Sequence, residues 1–411
     1  MNNTNQTILL EKYLLADYQP GDFFLASPSN TVLGKGVFAQ VPRDHTNDNQ
    51  LKGLANRISD TLINAKLAGH SKPIVVGAVP FDYQNSAQLI IPKHVEISES
   101  ENIPVENEAP SAAEVSYRIK SVPSLEQYKQ GVAKGIAQIK DGNLQKIVLS
   151  RSLHLTASQQ VNVPALLSSL AQHNHQGYTF AVNLKDEGHQ DSHHSPERTL
   201  IGASPELLVS KAGPKIVANP LAGSRPRSAD PVEDERRAAE LLASEKDLHE
   251  HAVVVQAVAE ALKPYCKTLE VPSQPSIMHT ETMWHLSTEI RGEIVNSSTS
   301  SFQLASALHP TPAVCGTPTE AARESIYEIE PFDRAFFTGM VGWCDENGDG
   351  EWIVTIRCAE IEDCSIKLFA GAGVVGASKP EEELAETSAK FRTVLKAMGI
   401  EEERFISNVE E

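Results

Sequence analysis

Cysteine is scarce in this chain. There are five in 411 residues, at Cys266, Cys315, Cys344, Cys358 and Cys364. The number is odd and no C-x-x-C pair occurs, so nothing argues for a disulfide framework. The thiols are expected as small core residues of a reduced, cytoplasmic protein. Positive charge is also in deficit, with 36 Lys and Arg against 54 Asp and Glu and a net charge of −18. Nucleic acid, which needs a basic field, is therefore not an expected partner. A small anionic substrate stays open, because a local basic pocket can sit in an acidic protein. Long apolar runs are missing too. The opening Met1-Asn2-Asn3-Thr4-Asn5-Gln6-Thr7 has no basic region, and Glu11 and Lys12 break the apolar stretch behind it. Neither a secretory signal nor a membrane span is expected.

What the chain does contain is enough apolar material for a large core, at 40% hydrophobic residues. Its length alone suggests two or three domains, a rule that large mixed sheets break. Leu51, Leu54, Ile58 and Leu62 have helical spacing over Gln50–Leu67, and the apolar run from Pro73 to Phe81 reads as a buried strand. Residues 96–114 carry Glu96, Glu99, Glu101, Glu106, Glu108 and Glu114 with no basic residue, and Pro104 and Pro110 interrupt them. This stretch reads as a solvated loop or edge connection. It divides an N-terminal part, residues 1–115, from a region 116–411, the two expected to form one continuous structural domain.

From Ser124 the pattern sharpens. Ser124 reads as the N-cap of an amphipathic helix running to about Ile139, with Gly142-Asn143 as its stop. Strands are expected at 146–151, 178–185, 199–210, 351–361 and 366–370, a long helix from about Glu233 to Leu262, and a final helix from Lys379. Hairpin-like strand runs between long helices predict an α+β fold, with large, mostly antiparallel β-sheets forming a core flanked by helices.

Two acidic pairs stand out in the C-terminal half. Asp247 and Glu250 are three residues apart, as are Glu383 and Glu386, the latter just after Gly371-Ala372-Gly373. On a helix such residues share a face. Two such faces could hold one Mg²⁺, which takes one or two protein carboxylates, keeps waters and leaves positions for an anionic ligand. Taken singly, acids at this spacing are more often just solvated. The apolar run Ala252-Val253-Val254-Val255 directly after the first pair places Glu250 near a buried face. Lys146 opens a strand beside a glycine turn, where a lysine is ordinarily a surface residue. Glu206 follows Ser204-Pro205 in an apolar stretch; buried there, its carboxyl would be hard to ionise, and at a sheet edge it would simply face water.

Several segments add up in order: Lys146-Ile147-Val148-Leu149-Ser150-Arg151, Gly202-Ala203-Ser204-Pro205-Glu206-Leu207, Pro220-Leu221-Ala222-Gly223-Ser224, and Ser244-Glu245-Lys246-Asp247-Leu248-His249-Glu250-His251. They continue with His309-Pro310-Thr311-Pro312-Ala313, Thr355-Ile356-Arg357-Cys358-Ala359, Gly371-Ala372-Gly373 and Glu386-Thr387. This series resembles the chorismate-utilising enzyme family over residues 120–400, with a weaker match before residue 115, mainly at Val79-Pro80-Phe81-Asp82. Within the family the similarity is greatest to the isochorismate synthases, especially those feeding catecholate siderophores.

The resemblance implies chorismate as substrate and a reaction that adds water at C2 and expels the C4 hydroxyl. It makes Lys146 the base for the water and Glu206 the proton donor. It makes Glu250 and Glu386 the main ligands of Mg²⁺ and Asp247 and Glu383 the supporting acids, acting through water. Arg357 is expected to grip one substrate carboxylate through its fork, with Lys390 as a second cation or as the salt-bridge partner of Glu386. Gly371 and Gly373 would let backbone N–H groups approach the substrate, and Gly223, Ser224, Ala313 and His285 line the pocket by the same resemblance.

Other readings remain at this point. A salicylate synthase would go on to eliminate pyruvate, and a menaquinone-pathway enzyme would run the same isomerisation. The aminating members need an amidotransferase, whose nucleophile motif is not visible here, so no such subunit is expected. A non-catalytic binding or scaffold protein on this fold would have lost charged pocket positions, and all are present. The histidines His173, His175, His189, His193 and His194 lie in a polar segment without ordered ligand spacing and are read as surface residues.

Overall fold

The computed structural model describes residues 14–99, 115–185, 198–400 and 409–410. The acidic residues 100–114 and the histidines His189, His193 and His194 lie outside them.

Strands of both halves of the chain are interleaved in two large sheets. The larger has eleven strands, ten of them in the order Val409–Glu410, Tyr117–Val122, Lys146–Ala157, Ser365–Val374, Cys358–Glu362, Arg198–Ser204, Tyr178–Leu184, Phe23–Ala26, Asn30–Lys35 and His94–Glu99. The short strand Gly316–Thr317 pairs separately with the start of Lys146–Ala157. The second sheet, of nine strands, has Leu207–Ala212, Gly350–Val354, Met340–Asp345 and Ile74–Val79 at its centre. A third, of three strands, joins Leu221–Pro226, Met283–Ser287 and Ser276–His279. Among the described strands only Val409–Glu410 pairs in parallel, with Tyr117–Val122. The expected α+β fold with large antiparallel sheets is what the chain adopts.

Alternation along the strands explains the layering. In Ile74–Val79, Ile74, Val76 and Ala78 face one core while Val75 and Val79 face another. The first core lies between the two large sheets, where Phe23, Leu25, Phe180 and Phe369 of one meet Val76, Val341 and Ile353 of the other. A strand buried on both faces reads as an unbroken apolar run. Helices Val163–Gln172 and Pro380–Ala397 cover the outer face of the larger sheet. Helices Leu54–Leu67, Glu245–Leu262 and Ser301–Leu308 cover that of the second. Ser124 caps helix Leu125–Lys140 through a capping box with Gln127. No helix among the described residues is long and apolar enough to cross a membrane.

Three local expectations need correction. The single helix from Glu233 to Leu262 is two helices, Pro231–Ala243 and Glu245–Leu262. Ser244 breaks it, leaving helical backbone and accepting from the Asp247 N–H as the N-cap of the second. The strand over 199–210 is two strands in different sheets, Arg198–Ser204 and Leu207–Ala212, with the chain crossing at Pro205-Glu206. Glu96 and Glu99 belong to the edge strand His94–Glu99, where their exposed charges suit a sheet margin.

Candidate active site

The chain passes between the two large sheets at two points beside one cavity, and each crossing carries a charged residue. At the first crossing Glu206 is held by its own backbone. Its N–H donates to Ser204 Oγ at 3.2 Å, and its carbonyl accepts from Val354 N–H at 3.1 Å. At the second, Arg357 lies between Gly350–Val354 and Cys358–Glu362, with φ at +52° and its carbonyl accepting from Ala203 N–H at 3.1 Å. A non-glycine residue in the left-handed region is strained, and such residues cluster at functional sites. The two crossings thus grip each other's strands and fix both side chains.

Electrostatics follow from burial. Glu206 is 3% exposed. Burial pushes its carboxyl up to about 7, against a backbone donor at Leu221 and the charges of Lys146, Arg357 and Lys390. Burial pulls the Arg357 guanidinium down to about 10, which leaves it charged at neutral pH. Its Nε has no partner, and its Nη2 lies 3.4 Å from His285 Nε2. A guanidinium only donates, so His285 must accept there and carry its proton on the other nitrogen. Burial and the Arg357 charge hold the imidazole well below its usual range, so it is neutral.

Lys146 opens strand Lys146–Ala157 and is 1% exposed. Its Nζ is 2.9 Å from Glu250 Oε1, but no contact has hydrogen-bonding geometry, so the amine is buried without a hydrogen-bond partner. Gly373 makes room for this contact. A Cβ there would stand 2.1 Å from Glu250 Oε1 and 3.1 Å from Lys146 Cε.

The four acids come from two helices, as the spacing predicts. Asp247 and Glu250 sit on Glu245–Leu262, and Glu383 and Glu386 on Pro380–Ala397. Each faces one lysine or arginine: Asp247 faces Arg225 at 2.6 Å, Glu250 faces Lys146, Glu383 faces Lys246 at 2.8 Å, and Glu386 faces Lys390 at 2.5 Å. Ser224 also donates to Glu386 at 3.2 Å. Burial works against ionisation of Glu386, but Lys390, Lys246 and Ser224 outweigh it and hold the carboxyl below its ordinary range. Burial first, and the Glu386 charge second, push the Glu383 carboxyl up.

The cavity has a volume of about 60 Å³. Glu206, Gly223, Ser224, Glu250, His285, Ala313, Arg357, Gly371, Gly373, Glu386 and Lys390 all line it. Lys146, Asp247 and Glu383 do not; they stand one layer behind, in contact with or beside the lining acids. Gly223 occupies a bulge of the small sheet at φ +77°, and a Cβ there would meet Asp247 Cβ at 3.1 Å. Lys390 does both things expected of it, pairing with Glu386 and donating to the Gly371 carbonyl at 2.9 Å.

Among the described residues no three His, Cys, Asp or Glu side chains are grouped closely enough to enclose an ion. The donor set instead suits a partly hydrated hard cation. Of the four acids, the buried Glu250 and the partly buried Glu386 reach the cavity, the other two stand behind them, and the raised carboxyl of Glu383 is one that added positive charge would help to ionise.

Sequence reasoning missed the apolar walls Val148, Leu221, Val314, Phe337, Ile356 and Phe369. It also missed Arg225 and Lys246. Lys246 is hidden by its position between two acids, and no spacing rule links it to Glu383. A buried pair, Glu330 with Arg334, ties the walls together: Arg334 donates to the carbonyls of Val148 at 2.7 Å and Val314 at 2.9 Å. Glu330 and Arg334 are four residues apart but lie past the end of helix Thr319–Ile329, in irregular chain, so no helical spacing signalled the pair.

The family described as "Chorismate binding enzyme" matches residues 86–399. Isochorismate synthase DhbC of Bacillus subtilis (strain 168) is 58% identical over 400 residues, covering 97% of this chain and 99% of that one. The vibriobactin-specific isochorismate synthase of Vibrio cholerae is 45% identical over 383 residues, 92% of each chain. Among solved structures, a putative 2,3-dihydroxybenzoate-specific isochorismate synthase, DhbC from Bacillus anthracis, superposes with a TM-score of 0.88 at 55% identity, covering 95% of this chain and 100% of that one.

Proposed function

The chain belongs to the family of chorismate-binding enzymes, and within it we propose that it is an isochorismate synthase of the siderophore type, making isochorismate on the way to 2,3-dihydroxybenzoate. The observation that carries the reading is the chemistry gathered in one buried site. A lysine amine lacks a hydrogen-bond partner, a carboxyl is pushed up to about 7, and a free guanidinium edge lies beside them. Water addition with loss of a hydroxyl needs a base, an acid and an anion clamp in that combination.

In the proposed reaction Lys146 takes a proton from water as its oxygen bonds to C2. The ring double bonds shift, and the C4–O bond breaks as Glu206 delivers its proton to the departing hydroxyl, which leaves as water. One water enters and one leaves, so the product is an isomer. The raised carboxyl of Glu206 keeps a donor proton near neutral pH, where an ordinary glutamate would have lost it. Arg357 grips one carboxylate of the substrate through paired N–H donors, and His285 steadies the guanidinium from the other side. Lys390 adds a second positive charge at the cavity wall.

Mg²⁺ held by Glu250 and Glu386, with Asp247 and Glu383 acting through water, would supply the positive charge that neutralises and anchors the ring carboxylate. The nucleophile is water, so no ammonia-supplying subunit is needed. The five free thiols suit a reducing compartment, and the cytoplasm is the proposed setting.

Incubating the purified protein with chorismate, with and without Mg²⁺, and separating the products tests the reading. Isochorismate formed only with the metal is the expected result. Chiefly salicylate and pyruvate, or anthranilate on addition of ammonia, would overturn it.

A further inference from the structure

Arg151 is a buried cation without an anion. It sits in strand Lys146–Ala157, is 1% exposed, and no carboxylate among the described residues pairs with it. Its partners are hydroxyls. Nε donates to Thr387 Oγ1 at 2.9 Å, Nη2 to Ser388 Oγ at 2.5 Å and Nη1 to Ser121 Oγ at 3.4 Å. The guanidinium carbon lies 5.0 Å from the centroid of the Phe391 ring. Burial lowers its pKa to about 10, so the charge persists at neutral pH.

A buried, uncompensated charge is costly, and apolar side chains of similar volume commonly do better for stability. The fork is therefore better explained by what it fixes. Thr387 Oγ1 and Ser388 Oγ both donate onward to the Leu384 carbonyl, at 2.8 and 2.9 Å. That carbonyl lies in the turn between Glu383 and Glu386. Alternation along the strand puts Arg151 on the opposite face from Lys146 and Val148. One strand thus carries the candidate base on its inner face and, on its outer face, the clamp on the helix bearing two of the acids. A guanidinium suits this because its donors are rigidly spaced, whereas an ammonium is a point charge.

Resting on the reading of Glu250 and Glu386 as metal carboxylates, we propose that Arg151 is the positioning residue of that site: its fork fixes the first turns of helix Pro380–Ala397 against strand Lys146–Ala157 and so sets Glu386 opposite Glu250.

The test is metal binding by the full-length protein without substrate, using Mn²⁺ as the probe and its electron-spin signal as the readout. Arg151→Met should fold, with an unfolding midpoint no lower than wild type. It should bind Mn²⁺ about 10–100-fold more weakly, the range for removing an outer support of a metal ligand, and raising Mg²⁺ should restore turnover. Arg151→Lys keeps the charge and loses the fork, so it should resemble Arg151→Met. If Arg151→Met does not fold, the double variant Thr387→Val, Ser388→Ala carries the same expectation from the helix side. Wild-type Mn²⁺ affinity in a folded Arg151→Met, or in Arg151→Lys, would overturn the proposal while leaving the metal reading intact. Absence of Mn²⁺ binding by the wild type would overturn the metal reading and this inference with it.

Discussion

Replacing Glu206 by glutamine should sharply lower turnover and, above about pH 5, make the protein more stable relative to wild type. The carboxyl is moved from an ordinary 4.5 to about 7, chiefly by burial. A carboxyl raised on folding contributes its full stability below the unfolded-state value and loses it as pH rises through the folded-state value. The window therefore runs from about pH 4.5 to about pH 7. The gap of about 2.5 pH units corresponds to roughly 3 kcal/mol at the alkaline end. Between pH 5 and pH 8 the wild type should lose about 2–3 kcal/mol through this one group. Glutamine has the same shape and no charge to bury, so Glu206→Gln should escape that loss. Its turnover should fall by about 10²–10⁴-fold, because the amide has no proton to deliver. In the wild type, turnover should decline above about pH 7 as the donor ionises. Urea unfolding of both proteins at pH 5 and pH 8, beside their pH–rate profiles, measures all of this. A stability difference that is the same at both pH values would refute the assignment of the raised carboxyl. A variant with near wild-type turnover would refute the donor role.

Other substitutions separate the remaining roles. Lys146→Ala should lower kcat by about 10²–10⁴-fold with Mn²⁺ and chorismate binding largely kept; retention of more than about a tenth of turnover would end its assignment as base. Arg357→Ala should raise KM for chorismate by about 10-fold or more, the value of a charge-assisted hydrogen bond, whereas a pure kcat loss would exchange its role with that of Glu206. Glu330→Ala leaves the Arg334 guanidinium buried beside it without its carboxylate, and should destabilise by about 3–5 kcal/mol in urea titrations. A loss below about 1 kcal/mol would mean that the Val148 and Val314 carbonyls alone satisfy Arg334.

Local signals were readable wherever one segment settles its own conformation. The apolar run Ile74–Val79, the Ser124 cap with Gln127 and the i, i+3 acid pairs each carry their cause within a few residues. The break at Ser244 was readable too, since Ser244 followed three residues later by Asp247 is a capping signature that the helical spacing of the flanking segments overrode. The ordered series of motifs implied both the fold and the lining of the pocket through its resemblance to the chorismate-utilising enzymes, not through any local conformational signal.

Tertiary structure decided what depends on partners far away in the chain. Glu206 and Arg357 sit at sheet crossings, which no local pattern marks, since a crossing is defined by which strand comes next to which. The split between acids that reach the cavity and those that stand behind it depends on the angle at which two helices meet. Lys246 finds Glu383 only through that meeting, and Arg225 finds Asp247 through the packing of helix Glu245–Leu262 on strand Leu221–Pro226. The same holds for the raised carboxyl of Glu206, because burial is a property of everything packed around a group. The sequence by itself determined which side chains exist and which short elements carry them; packing decided their charges, their partners and their distances, because those are set by atoms that the chain brings together from hundreds of residues apart.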